Sequence, residues 1–317
     1  MPTRQSSFRL FRLAGIDVYL HWWWFLVALY EIRGRGHYSS IGWNVAEYLC
    51  LFLIVLTHEF GHALACRQVG GQANRIMLWP LGGVAYVTPP ERPGAQLWSI
   101  AAGPLVNVVL IPVLIGALAL ARIVGLPMAW PDAYHLLRSV LYIDIGLLVF
   151  NILPVYPLDG GQMLRSVLWF VMGRGRSLMA ATVIGLVGVV ALVALAIYSQ
   201  SMWTGLIALY MLMNCWTGLR HSLKLMKLDK LERRQQYACP KCGAHPPAGA
   251  VWKCDRCTET FDPFATGMQC PLCGVTHRDA ACVDCHATSP SAAWVPQHTT
   301  AVAPPPISAA QVVPSAN

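Results

Sequence analysis

The stretch LIVLTHEFGHALAC, residues 53–66, places two histidines and a glutamate at the end of an apolar run. Ionisable side chains are costly in hydrocarbon, and those found within membrane helices are usually functional. Residues four positions apart share one face of an α-helix, so His58 and His62 can bind one metal ion from the same side. Glu59 is adjacent to His58, where its carboxylate can take a proton from a water molecule on that metal. The stretch therefore predicts a helix that carries a hydrolytic metal site.

The composition of the whole chain is that of a membrane protein. Of its 317 residues, 56% are hydrophobic and 12% are charged, and the mean hydropathy is +0.48. A soluble globular protein needs more charged surface than this. Several apolar runs approach the roughly 20 residues that a helix needs to cross a bilayer. We therefore expect an integral membrane protein in contact with the lipid bilayer.

Six apolar segments are candidates for membrane-spanning helices. The net charge of +8 is a signal of topology, because Lys and Arg collect on the cytoplasmic side. A cytoplasmic N-terminus with alternating spans places most arginines inside, although Arg33 and Arg35 fit poorly. This predicts a multi-pass protein of the cell membrane with both termini in the cytoplasm. The segments are about residues 18–32, 43–66, 97–121, 135–153, 177–199 and 202–219.

A third metal ligand is expected, because catalytic zinc usually has three protein ligands and keeps one position for water. Asp159 fits this role, since the topology places it on the same side of the membrane as the two histidines. It lies in NILPVYPLDGG, residues 151–161. The two prolines should interrupt the helix there, and the two glycines allow close backbone approach.

Four motifs occur in the order LTHEFGHALACRQVG, LWPLGGVAYV, AAGPLVN and FNILPVYPLDGGQMLRSVLW, and they carry a resemblance that covers about residues 13–220. Together they resemble the site-2 protease family of intramembrane zinc metalloproteases, most closely its compact prokaryotic branch. The resemblance implies that His58, His62 and Asp159 bind a catalytic zinc ion and that Glu59 is the general base. It also implies substrates that are membrane-spanning segments of other proteins, cut within or near the bilayer.

The same resemblance implies further groups around the metal. Asn107 and Asn151 match family asparagines near the active site, with roles in holding the substrate strand or polarising its carbonyl. Residues 75–87, RIMLWPLGGVAYV, correspond to a β-hairpin that dips towards the site, and an extended substrate could add to its edge by backbone hydrogen bonding. Asp144 lies mid-span, where many relatives have an amide, and is either a partner of another site residue or a buried acid kept protonated.

The C-terminal part of the chain carries eight cysteines in four CxxC pairs. Two such turns complete a tetrahedral structural zinc site, so four predict two structural zinc ions. Four disulfides are the competing interpretation, but cytoplasmic thiols stay reduced. Consecutive pairing of the turns would give two tandem zinc ribbons, and a cross-braced arrangement of alternate pairs is also possible. The cysteines are Cys239 and Cys242, Cys254 and Cys257, Cys270 and Cys273, and Cys282 and Cys285.

The predicted fold is an all-α polytopic membrane protein of about six transmembrane helices, with a small membrane-associated β-hairpin and a small zinc-ribbon domain. A tail rich in Pro, Ala and Ser, without large apolar periodicity, should be disordered. The predicted segments are a cytoplasmic N-terminus (1–12), an intramembrane metalloprotease domain (13–220), a basic linker (221–237), a double zinc-ribbon-like domain (238–288) and the tail (289–317).

The predicted function is that of a zinc-dependent intramembrane endopeptidase in regulated proteolysis, with one catalytic and two structural zinc ions. The alternative is a non-proteolytic membrane scaffold whose zinc ribbons recruit protein partners. Basic residues in the ribbons are interspersed with acidic ones, and no basic stripe stands out. A protein regulator is therefore the expected partner there, and nucleic acid is not; a nucleic-acid tether would show salt-dependent binding by residues 235–290.

Overall fold

The computed structural model describes residues 7–34, 38–79 and 82–294. The chain divides into two compact units, Met1–Asp229 and Lys230–Asn317. The first unit contains the helical motif with the two histidines, and the second contains all four CxxC pairs.

The first unit is mainly helical, with one small sheet. Its described strands are β1 (Ser7–Leu13), β2 (Ile16–His21), β3 (Gln72–Trp79) and β4 (Gly82–Thr88). Its described helices are α1 (Trp23–Gly34), α2 (Ile41–Gln68), α3 (Pro93–Ile123), α4 (Leu126–Ala129), α5 (Pro131–Ile152), α6 (Asp159–Met172), α7 (Arg174–Ser199) and α8 (Met202–Asp229).

Four helices among the described residues, α2, α3, α5 and α7, are long and apolar enough to cross a membrane. The six predicted spans are therefore not confirmed. The segment predicted at 18–32 is instead strand β2 followed by α1, whose 12 residues are too few to cross a bilayer core. The segment predicted at 202–219 lies in α8, which is long enough but less apolar than the other four helices.

The long helices expose many large apolar side chains. Val109 and Ile115 of α3, and Val187 and Val190 of α7, are each more than half exposed. Contiguous apolar surface of this kind is rare on soluble proteins and marks contact with a membrane or a partner. The protein is accordingly a membrane protein, with these faces suited to lipid.

The sheet packs against α2 and has the order β1-β2-β3-β4. β2 and β3 run parallel, whereas the other neighbouring pairs are antiparallel. Ile16, Val18, Ile76 and Leu78 are fully buried in the core shared with α2. The hairpin predicted at 75–87 is present as β3 and β4, and this packing places β4 beside the end of α2 that carries the histidines.

The second unit contains two small antiparallel ribbons. One pairs β5 (Trp252–Lys253) with β6 (Thr260–Phe261), and the other pairs β7 (Asp279–Ala281) with β8 (Thr288–Pro290). Such short strands cannot bury a large core, so a metal bound by the cysteines would supply much of the folding free energy.

The folded region of the second unit is longer than the predicted 238–288. Arg233 is paired with Asp284 at 2.8 Å, and Arg234 with Asp262 at 2.7 Å, so the second half of the predicted linker belongs to this unit. Trp294 is fully buried in its core. The predicted tail therefore begins too early at residue 289, and residues 295–317 lie outside the described residues.

Candidate metal centre

The three predicted metal ligands meet at one point between α2 and the first residue of α6. The Nε2 atoms of His58 and His62 are 3.1 Å apart. The Oδ2 atom of Asp159 lies 3.0 Å from the first nitrogen and 3.3 Å from the second. The structure thus brings together two imidazoles and a carboxylate that is 97 positions from the nearer histidine along the chain.

The outer nitrogens of both histidines are already bonded, which leaves the inner nitrogens free to bind metal. The Nδ1 atom of His58 is 2.7 Å from Oδ1 of Asn107, and that of His62 is 2.9 Å from the carbonyl oxygen of Ser99. When each Nδ1 donates its proton outwards, both Nε2 lone pairs face the carboxylate. Zinc ligands at about 2.0–2.1 Å in a tetrahedron lie about 3.3 Å apart, so these donors fit zinc with one position left for water.

Glu59 is held beside the ligands by strand β4. Its Oε2 atom accepts a hydrogen bond from the backbone N–H of Ala85 at 2.9 Å. The strand can come this close because residue 83 is glycine: a Cβ there would lie 2.2 Å from Cγ of Glu59. Donor atoms of Glu59, His58 and His62 all lie within 4.8 Å of one another. The carboxylate is therefore placed to act on a water molecule at the open metal position.

Helix α3 covers the other side of the metal centre with its backbone. A Cβ on Gly103 would lie 2.3 Å from Nε2 of His62 and 2.8 Å from Nε2 of His58. A Cβ on Gly61 of α2 would lie 2.6 Å from the carbonyl oxygen of Ala102, so the two helices cross in close contact. Sequence reasoning missed Gly83, Gly103 and the Ser99 carbonyl; the small-residue run AAG at 101–103 was the available signal for this approach.

The break between α5 and α6 positions Asp159. Helix α5 ends at Ile152, and the chain turns through residues 153–158 before α6 begins, as its two prolines predicted. A Cβ on Gly160 would lie 2.2 Å from the carbonyl oxygen of Ile152, and one on Gly161 would lie 2.4 Å from the backbone nitrogen of Tyr156. The paired glycines thus let the turn fold back on the start of α6.

A cavity of about 270 Å³ opens onto the metal centre. Asn151 lines it, whereas Asn107 is fully buried behind His58 and donates a hydrogen bond from Nδ2 to Asp144. The structure therefore separates the two predicted asparagines: Asn151 lines the cavity, and Asn107 contacts His58, a predicted metal ligand. The apolar side chains of the lining are Val55, Ala85, Val87, Ile100, Leu147, Phe150, Pro157 and Leu158.

The eight cysteines of the CxxC pairs form two clusters with nested pairing. The first and fourth pairs join, and so do the second and third, so neither the consecutive nor the alternate arrangement is present. Facing sulfur atoms lie 3.5–3.8 Å apart, which suits four thiolates at about 2.3 Å from zinc. All are free thiols. The clusters are Cys239, Cys242, Cys282 and Cys285, and Cys254, Cys257, Cys270 and Cys273.

The electrostatics of the second cluster also favour a bound cation. Backbone N–H groups of Cys257 and Arg256 point at the sulfur of Cys254 and lower its pKa to about 6. The N–H of Glu259 acts in the same direction on Cys257, but burial and the neighbouring cysteines outweigh it and raise that pKa to about 12. One thiolate therefore suppresses ionisation of the next unless a cation such as zinc neutralises them.

Comparisons with known proteins agree with this centre. Residues 46–126 and 123–195 match the family model described as Peptidase family M50. Zinc metalloprotease MJ0392 of Methanocaldococcus jannaschii is 33% identical over 162 residues, which cover 51% of this chain and 45% of the relative. Putative zinc metalloprotease Rip3 of Mycobacterium tuberculosis is 29% identical over 181 residues, which cover 52% and 44%.

One solved structure, Site-2 Protease from Methanocaldococcus jannaschii, is 29% identical, with 67% of this chain and 95% of that chain covered and a TM-score of 0.49. The chain spans about half the length of the curated relatives it matches.

Proposed function

Since this chain belongs to peptidase family M50, the zinc metalloproteases of the site-2 type, we propose that it is an endopeptidase that cuts membrane-spanning segments of other proteins. The observation that carries the proposal is the convergence of His58, His62 and Asp159 on one point. Glu59 lies beside that point, in a helix long and apolar enough to span a membrane.

The residues of this centre can perform peptide hydrolysis. Bound zinc supplies a Lewis acid that lowers the pKa of a water molecule to about 7 and polarises the substrate carbonyl. Glu59 accepts the proton of the attacking water and then delivers it to the leaving amine, as a general base and general acid. The N–H of Ala85 occupies one oxygen of Glu59 and leaves the other for this proton.

Strand β4 offers a place for the substrate backbone. It is the last strand of the sheet in the part of the chain that the structure describes, and its Ala85 N–H points to Glu59. A helical peptide bond is shielded by its own turn, so the substrate must unwind. An unwound segment added along β4 would pass beside Glu59, and Asn151, across the cavity, would hold a substrate carbonyl.

We further propose three zinc ions per chain, one at the membrane centre and one in each cysteine cluster, which matches the three donor sets. The arginine distribution supports a multi-pass topology with both termini in the cytoplasm. Free thiols in the second unit agree with a reducing compartment. The ribbons, which lack a basic stripe, would then bind a protein regulator.

Replacing Glu59 with Gln should leave zinc content unchanged and slow cleavage by about 10²- to 10⁴-fold, because the amide cannot take a proton. Membrane proteomics of cells with the wild-type or the Glu59→Gln chain identifies proteins cut only by the wild type. One such protein, purified and co-reconstituted in liposomes, then serves as the substrate.

Asp159→Asn is the companion variant and should lose both the membrane zinc and cleavage. A non-proteolytic scaffold would bind its partners equally well in all three forms of the chain. Cleavage by Glu59→Gln at the wild-type rate would refute the proposed function.

A further inference from the structure

A second carboxyl group lies behind the metal centre without a place in the hydrolytic scheme. Asp144 of α5 is fully buried. Its Oδ1 atom accepts a hydrogen bond from Nδ2 of Asn107 at 2.6 Å. Its Oδ2 atom has no hydrogen-bond partner among the described residues. A buried carboxyl group within a membrane helix is costly. Within the described part of the chain, the hydrogen bond to Asn107 is the only one that this side chain makes, and it indicates where Asp144 acts.

Asn107 connects this carboxyl group to the metal centre. A side-chain amide has one accepting end and one donating end. Asp144 takes the donating end, which turns Oδ1 of Asn107 towards Nδ1 of His58 at 2.7 Å. The imidazole proton is then placed on Nδ1, and the lone pair of Nε2 faces the metal position.

The reversed amide would oppose metal binding. With the NH₂ group facing Nδ1, His58 would carry its proton on Nε2, the atom that must bind zinc through its lone pair. His62 has no such problem, because its Nδ1 faces the backbone carbonyl of Ser99, which is fixed in helix α3. Of the two histidine ligands, only His58 depends on a group that can turn over.

We propose that Asp144 is a positioning residue that fixes the amide of Asn107 and thereby the zinc-binding tautomer of His58. Partners of this kind orient the ligand and increase its basicity. The inference rests on the proposed zinc centre but concerns metal affinity, which is measured without substrate. A chain that binds zinc and cuts nothing would therefore refute the proposed function and leave this inference standing.

The test is a zinc competition titration of the full-length chain in detergent, with a chelator that buffers free zinc. The zinc ion that is absent from the His58→Ala chain is assigned to the membrane centre. This distinguishes it from the zinc of the cysteine clusters. Asp144→Leu, similar in size but without an acceptor, should bind this ion about 10- to 100-fold more weakly. Asp144→Asn retains an accepting oxygen and should bind close to wild type. Gly146→Ala, on the same helix with open space at its Cβ, is the control.

A swapped pair separates positioning from a loss of packing. Asn107→Asp alone places two carboxyl groups 2.6 Å apart and should weaken zinc binding. Combined with Asp144→Asn, the carboxylate at position 107 again accepts from Nδ1 of His58 and from the amide at position 144, so affinity should recover. Wild-type affinity in Asp144→Leu, or a double variant no tighter than Asn107→Asp, would overturn the proposal.

Discussion

A Gly103→Ala variant is expected to lose one zinc ion per chain and to show only background peptidase activity. The added Cβ would lie 2.3 Å from Nε2 of His62 and 2.8 Å from Nε2 of His58, the two nitrogens proposed to bind the metal. Helix α3 cannot move away freely, since it is in contact with α2 at Gly61 and holds Nδ1 of His62 through the Ser99 carbonyl. The added methyl group therefore overlaps the space that the two imidazoles occupy in their metal-binding orientation.

The control for this prediction is on the same helix. Gly116→Ala adds the same methyl group where no atom lies within 4 Å, and alanine favours a helix over glycine by about 1 kcal/mol. This variant should keep wild-type zinc content and activity. Mass spectrometry measures zinc per chain, and thermal unfolding in detergent tests whether each chain is folded. Together they distinguish Gly103→Ala from Gly116→Ala. Equal zinc in a folded Gly103→Ala chain would contradict the geometry of the centre.

The sequence brings these three side chains to attention because each carries a local signal. His58 and His62 have helical spacing, and Asp159 follows an interrupted helix. The close approach of Gly83 and Gly103 is not fixed by such a signal: the small-residue run at 101–103 indicates a close contact, but what lies in contact depends on how β4 and α3 cross α2 in space. A glycine that makes room for a neighbouring side chain cannot be told by local sequence from one with open space around it, such as Gly116.

The error at the N-terminus has a different origin. Residues 18–32 looked like a weak apolar span, but the buried positions Ile16, Val18 and Leu20 alternate with less buried ones. A period of two is the signature of a strand with one buried face. The signal was present, and the adjoining apolar residues of α1 concealed it. Pairing of this strand with β3, far along the chain, then completes a sheet that the local pattern cannot specify.

The pairing of the CxxC turns could not be derived from spacing. Four turns allow three pairings, each of which satisfies the same tetrahedral zinc geometry. Cysteine spacing therefore predicts the number of clusters and leaves their membership open. The distinguishing contacts are long-range, such as the approach of Cys285 to Cys239 at 3.8 Å.

Double cysteine variants of the second unit should reveal the nested pairing as a difference of one whole zinc ion. Cys239→Ser combined with Cys282→Ser removes two ligands of one cluster and should cost one ion per chain. Cys239→Ser combined with Cys254→Ser, or with Cys270→Ser, affects both clusters and should cost two. Structural zinc contributes about 10–16 kcal/mol to folding, so loss of both ions should unfold the unit. Cys50→Ser, outside both clusters, should lose none.

Each alternative pairing predicts a different number of zinc ions lost from each double variant. If consecutive turns join, the double variant at 239 and 254 loses one zinc ion, and each of the other two double variants loses two. A cross-braced arrangement predicts one lost ion for 239 and 270. Zinc counted per chain, with far-ultraviolet circular dichroism as a readout of folding, decides among the three. If a double variant other than that at 239 and 282 lost a single ion, the turns would join differently. Two changes within one tetrahedral site cost only one zinc ion, whereas changes in two sites cost two.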